Sequence, residues 1–174
     1  MEFPDDWTLD EAATVPIAYA TAYLSLVMTA HIKKGERVLI HTGASTVGIA
    51  CISVALHHGC EVYITVGSQR KRDYLKKRFP QLKDTHFSNS RDLTFRDHIR
   101  DQTHDKGVKI IVNTLTEEKL YAGMQCLAPN GRFIEIGKFD ISQQGTLGNI
   151  RWQKYISLNI FGHFISSGIV VTSH

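Results

Sequence analysis

Val38 to Leu56 reads VLIHTGASTVGIACISVAL, and its pattern changes period halfway. Apolar β-formers run up to His41, small residues crowd Thr42 to Thr46, and from Val47 the apolar positions recur as in a buried helix. This is a strand, a tight turn and a helix. Gly43 and Gly48 fall where a dinucleotide-binding turn needs them, the first for a sharp reversal and the last for close packing of the helix. The unpaired N–H groups of such a helix start face a pyrophosphate. The middle glycine of G-x-G-x-x-G is replaced by Ser45, so the motif alone is also compatible with an ordinary β-α turn.

Downstream, Glu61 to Val66 (EVYITV) is a second strand and Gly67 to Arg72 opens a basic helix that Pro80 ends. In a dinucleotide fold an acid at the end of this strand holds the ribose hydroxyl of NAD, whereas basic residues accommodate the extra phosphate of NADP. No acid occurs from Tyr63 to Arg72. Ser68, Lys71 and Arg72 therefore point to the phosphorylated cofactor, with a solvated helix face as the alternative, most of all for Arg70.

Further strands are expected at Thr85 to Phe87, Val108 to Asn113 and Arg132 to Ile136, with a sixth inside Ile156 to Phe164. Helices are expected from Thr94, as a cap, to about Thr103, and from Glu117 to Leu127. Pro129-Asn130-Gly131 then turns the chain. The alternation implies an α/β, doubly wound parallel sheet of about six strands. Ahead of it, Thr8 and Glu11 fit a capping box opening a short helix that Pro16 interrupts, and a longer one follows from Ile17 to His31. The expected division is a helical segment over 1–34, a Rossmann-like NADP-binding domain over 35–165 and a tail over 166–174.

The 174 residues carry 20 basic and 17 acidic side chains, a formal charge of +3. That balance is too mild to indicate nucleic acid. Cys51, Cys60 and Cys126 lack C-x-x-C spacing and read as buried thiols in a reducing compartment. No run reaches the roughly 20 apolar residues of a membrane span, no signal-peptide pattern opens the chain, and no metal-ligand spacing occurs among the nine histidines. A cytoplasmic protein without membrane or nucleic-acid partners is expected.

Several stretches carry a likeness: WTLDEAATVP at Trp7 to Pro16, TAY at Thr21 to Tyr23, GERVLIHTG at Gly35 to Gly43, GCEVYITVGSQRKRDYL at Gly59 to Leu75, RFPQLKDTHFSNSRD at Arg78 to Asp92, EEKL at Glu117 to Leu120 and GRFIEIGKFDIS at Gly131 to Ser142. Together they resemble the enoyl reductase region of animal fatty acid synthase, of an insect-like kind, a zinc-independent member of the medium-chain dehydrogenase/reductase family. The resemblance implies the cofactor-binding half of an enzyme that passes hydride from NADPH to the β-carbon of a trans-2-enoyl thioester carried on acyl carrier protein or coenzyme A.

It assigns Lys138 as catalytic, steadying the enolate or giving the α-proton, where a surface lysine is the alternative. Together with the turn and strand-end readings above, it assigns Thr21, Gly43, Ser45, Thr46, Val47, Gly48, Ser68, Lys71, Arg72, Asn113 and Leu115 to the cofactor; a core helix face is the equal alternative for Thr21, and a simple turn the alternative for Asn113 to Leu115. Where the family loop has two central glycines this chain has Ser45 and Thr46. Where the family has a second acid candidate, Ser166 and Ser167 stand nearby. The family's substrate domain is not recognisable in the chain, so catalysis by the isolated chain is expected to be incomplete, and a homodimer is among the assemblies the resemblance admits. The competing expectation is a truncated or degenerate NADPH-binding module that serves as a sensor or assembly surface.

Overall fold

The computed structural model describes residues 8–136, 155–157 and 170–172. Within them, β1 (Arg37–Ile40), β2 (Glu61–Val66), β3 (Phe87–Asn89), β4 (Val108–Asn113), β5 (Leu127–Glu135), β6 (Tyr155–Ser157) and β7 (Val170–Thr172) form one sheet in the order β3-β2-β1-β4-β5-β6-β7. The first six run parallel and β7 is antiparallel to β6. Val38 to Ile40 pair directly with Ile110 to Val112, so the chain reverses its direction of winding between β1 and β4. Ligands of open α/β sheets bind at the carboxyl edge beside such a reversal.

Strand alternation divides the core into two layers. Val38, Ile40, Val62, Ile64, Ile110 and Val112 face α2 (Thr46–His57) and α1 (Leu9–Tyr23), together with Ala22, Leu26, Ala50 and Ile52. Leu39, Tyr63, Ile111 and Phe133 face α4 (Thr94–Gln102) and α5 (Glu117–Met124), where Phe95, Ile99 and Leu120 are buried. Both faces of the sheet are therefore covered, which explains why its strands read as continuous apolar runs. A further helix, α3 (Gln69–Arg78), follows β2 and buries Leu75.

The N-terminal segment departs from expectation. Pro16 lies inside α1 without ending it, and a six-residue π-helical segment, Leu24–Thr29, continues the helix. Proline removes one backbone donor, but Ala18, Ala22 and Leu26 recur every fourth residue and bury in the layer that holds α2. That packing anchors the helix just past the missing bond. Other boundaries shift by a few residues. A 3-10 turn, Asp84–His86, occupies the start of the expected third strand and moves β3 to Phe87–Asn89. Leu93, not Thr94, is the N-cap of α4, and the Oδ1 of the preceding Asp92 accepts from Thr94 N at 3.0 Å. Helix α5 stops at Met124, and β5 takes in Pro129 to Gly131 through a register shift between Val108 and Ile110 of its neighbour. Strand β6 overlaps only the beginning of the window expected for it. Lys138, Ser166 and Ser167 lie outside the described residues.

Candidate functional site

The turn after β1 is built by close backbone contact. A Cβ on Gly48 would stand 2.7 Å from Thr42 O and 2.8 Å from Gly43 Cα, so only glycine lets the first turn of α2 rest on the loop. Gly43 serves differently from expectation. The left-handed residue of the turn is Thr42, at φ 53°, whereas a Cβ on Gly43 would collide with Ile64 Cγ2 at 2.2 Å. Gly43 therefore provides room beside β2, and its N–H donates to Thr65 O at 3.0 Å.

Ser45 caps α2, its Oγ accepting from Gly48 N at 3.0 Å, and its own N–H donates to Thr42 O at 2.9 Å. The serine thus consumes one of the helix-start donors that a glycine would leave open. The N–H groups of Thr46 and Val47 make no hydrogen bond within the described residues. They are the donors left at the positive end of the helix dipole for an anion.

A cleft of about 330 Å³ opens after β2, lined by Gly67, Ser68, Arg72, Ser88, Asn89 and Arg91 among others. Ser68 caps α3 by accepting from Lys71 N at 3.4 Å. Lys71 is exposed and does not line this cleft. Arg72 lines it but is engaged elsewhere: its Nη2 donates to Asp84 Oδ1 at 2.8 Å and to Asp84 O at 3.0 Å, and its guanidinium sits 5.3 Å from the Phe87 ring centre. The cation without such a partner is Arg91, whose Nε would lie 3.3 Å from a Cβ on Gly67. Arg91 received no role in the sequence, although it stands inside the quoted NSRD stretch, because its proximity to Gly67 depends on the pairing of β2 with β3.

On the other side of β1, Asn113 is buried and turned inward. Its Nδ2 donates to Glu135 Oε2 and to Leu115 O, both at 2.6 Å, while its Oδ1 accepts from Leu115 N at 3.2 Å. The side chain thus shapes the loop through Leu115 and has no polar atom to offer a ligand. Thr114 reaches back across the edge, its Oγ1 2.8 Å from Thr42 Oγ1. Thr21 is buried, and its hydroxyl donates to Ile17 O at 2.7 Å within α1. The structure therefore brings the Thr42–Gly48 turn, the Ser68 cleft and the Asn113–Leu115 loop to one sheet edge and leaves Thr21 in a helix interior.

The family model for zinc-binding dehydrogenases matches residues 46–168. The highly reducing polyketide synthase anuA of Penicillium roqueforti is 42% identical over 160 residues, which is 92% of this chain and 7% of that protein. The nucleotide-binding subdomain of the enoylreductase domain of PpsC from Mycobacterium tuberculosis is 39% identical with a TM-score of 0.69, covering 76% of this chain and 72% of that one. The mycobacterial protein Rv1454c, solved in complex with NADPH, is 27% identical with a TM-score of 0.69, covering 78% of this chain and 41% of that one. The chain thus spans a small fraction of the synthase it matches, and that relative makes polyketides where the residue likeness had suggested fatty acid synthase.

No zinc centre fits among the described residues. Among the described residues no three His, Cys, Asp or Glu side chains converge as metal ligands. Burial pushes the Cys51 and Cys126 thiols up to about 12, as in inert buried cysteines. Also among the described residues, no helix is long and apolar enough to cross a membrane.

Proposed function

The chain belongs to the zinc-binding dehydrogenase family, in the line of enoyl reductase nucleotide-binding subdomains, and from that premise we propose that it is the cofactor-binding part of an NADPH-dependent enoyl-thioester reductase. The observation that carries the proposal is the Gly48 contact with the Thr42–Gly43 backbone, which leaves the Thr46 and Val47 N–H groups open at the winding reversal. A pyrophosphate there would be held by those donors and the helix dipole. The cleft after β2 would take the adenosine 2′-phosphate, with Ser68 and Arg91 as its donors, Arg72 in its lining and Lys71 outside it. The Asn113–Leu115 loop would border the nicotinamide.

NADPH, when bound, supplies the hydride for the β-carbon of a trans-2-enoyl thioester. The residues of this chain would hold and orient it: the turn would take the phosphates, and the Asn113 clamp, which fixes Leu115, would border the nicotinamide. Lys138, three residues past the end of β5, would steady the enolate oxygen or deliver the α-proton. Positioning of the acceptor carbon accounts for about 7 to 11 kcal/mol of such barriers, and the wall that does this comes from sequence outside these residues. Ile17, Leu24 and Met28, at 65%, 43% and 56% exposure on the N-terminal helices, give that wall an apolar surface to cover. Acyl carrier protein or coenzyme A would present the thioester. A fatty acid synthase setting is favoured by the GRFIEIGKFD stretch and a polyketide synthase setting by the identity to anuA; the bond reduced is the same in both.

The test is turnover. The protein alone should bind NADPH yet oxidise it no faster in the presence of crotonyl thioester. Joined in one polypeptide to the substrate-binding half of a related enoyl reductase, it should reduce the thioester, and Lys138→Ala should lower kcat. Robust turnover by the 174-residue chain would falsify the division of labour, and no NADPH binding would overturn the proposal altogether.

A further inference from the structure

His41 carries a buried imidazole that no step above uses. It follows Ile40 at the end of β1, and strand alternation sends it with Leu39 to the α4/α5 side, where it is 1% exposed. Its ring meets Phe95 edge-on at a centroid distance of 5.0 Å. Nε2 abuts Gly123, where a Cβ would come within 3.1 Å of it, and has no hydrogen-bond partner. Nδ1 lies 3.1 Å from Thr65 Oγ1. That same oxygen accepts the Thr42 N–H at 3.1 Å.

Proton counting fixes the direction of these bonds. A threonine hydroxyl has one proton and two lone pairs. If Thr65 gives its proton to Nδ1, the only group left unmatched is Nε2–H. If Nδ1 were the donor, both the Thr65 proton and the Nε2 lone pair would be buried without partners, which is the costlier arrangement. Burial also pushes the His41 pKa down to about 3, so the Nδ1 lone pair stays available at neutral pH.

The residue held through this hydroxyl is the strained one. Thr42 is β-branched and at φ 53°, a combination that persists only when its surroundings enforce it. Three bonds do so: its N–H to Thr65 Oγ1, its carbonyl from Ser45 N, and its hydroxyl to Thr114. We propose that His41 is a positioning residue for cofactor binding, which orients the Thr65 hydroxyl so that it locks Thr42 left-handed and sets both the phosphate turn and the facing Thr114. The inference rests on the cofactor reading given above.

NADPH and 2′-AMP are the probes, titrated calorimetrically against the protein and its His41→Leu, His41→Asn and Thr65→Val variants. His41→Leu and Thr65→Val should each weaken NADPH by about tenfold or more while leaving 2′-AMP, which reaches only the cleft after β2, within about twofold. His41→Asn, whose Oδ1 can accept the Thr65 proton where Nδ1 stood, should recover most of the loss. The double variant His41→Leu/Thr65→Val should be no weaker than the worse single one, since both break one chain of bonds. Unchanged NADPH affinity in His41→Leu and Thr65→Val, a parallel loss of both ligands, or additive losses would each overturn the inference and leave the cofactor reading standing. Failure of the unsubstituted protein to bind either ligand would overturn both. If His41→Leu does not fold, Thr65→Val, nearly isosteric, carries the same expectation.

Discussion

Asn113 Nδ2 and Glu135 Oε2 meet at 2.6 Å where β4 and β5 end side by side, both residues buried. The same amide closes the turn through Leu115, so one side chain ties two strand ends to the loop proposed to border the nicotinamide. Asn113→Ala would deprive a buried carboxylate of a donor, and each such loss costs about 1 to 3 kcal/mol. The expected outcome is a melting temperature lowered by several degrees. Asn113→Asp, which sets a second carboxylate against Glu135, should be worse than alanine, and equal melting of the two variants would speak against the clamp.

Gly48 should tolerate nothing larger. The atoms a new Cβ would strike are Thr42 O and the Gly43 backbone, which cannot rotate aside as a side chain would. Gly48→Ala is expected to cost about 1 to 3 kcal/mol of stability and to abolish measurable NADPH binding in a protein that still folds. Retained binding would mean that the turn is not where the phosphates sit.

Cofactor choice should follow Arg91 more than Arg72. Arg91→Ala is expected to weaken NADPH by about tenfold or more while sparing NADH, the scale of one charge-assisted hydrogen bond. Arg72→Ala should act chiefly on stability, because its guanidinium is engaged by Asp84 and Phe87, and Lys71→Ala should change NADPH affinity little. Titration of both cofactors against the three variants decides it, and a larger NADPH loss from Arg72→Ala than from Arg91→Ala would reverse the assignment.

Acid should destabilise the fold through His41. Burial lowers its pKa from 6.5 to about 3 in the folded chain, so below 6.5 the unfolded chain takes up a proton that the folded one refuses. Stability then falls by about 1.4 kcal/mol per pH unit between roughly 6.5 and 3, and above 6.5 the group contributes no pH dependence. Urea melts at pH 7.5, 6 and 5 should show this slope, and it should flatten in His41→Asn. An identical slope in the variant would place its origin elsewhere.

Much of this edge could be read from the chain because it follows from local pattern. The alternation of Val38, Leu39 and Ile40 sets the two core layers, and the spacing of Gly43 and Gly48 locates the turn. What escaped the sequence depends on partners far along the chain. Arg72 reads as a free cation until Asp84 is folded against it, and His41 reads as the end of a strand until Thr65 and Phe95 enclose it. Thr42 has the wrong side chain for a left-handed turn, so propensity assigns that conformation to Gly43 instead. Pro16 fails as a helix breaker for a related reason: burial of Ala18, Ala22 and Leu26 outweighs one missing bond.

Calorimetric titration of the protein with NADPH and with NADH decides whether this chain is the NADPH-holding part of an enoyl-thioester reductase. One site per chain is expected, with NADPH bound at least about tenfold more tightly, as one added charge-assisted contact to the 2′-phosphate requires. Equal affinity for the two cofactors, or no binding of either, would contradict it.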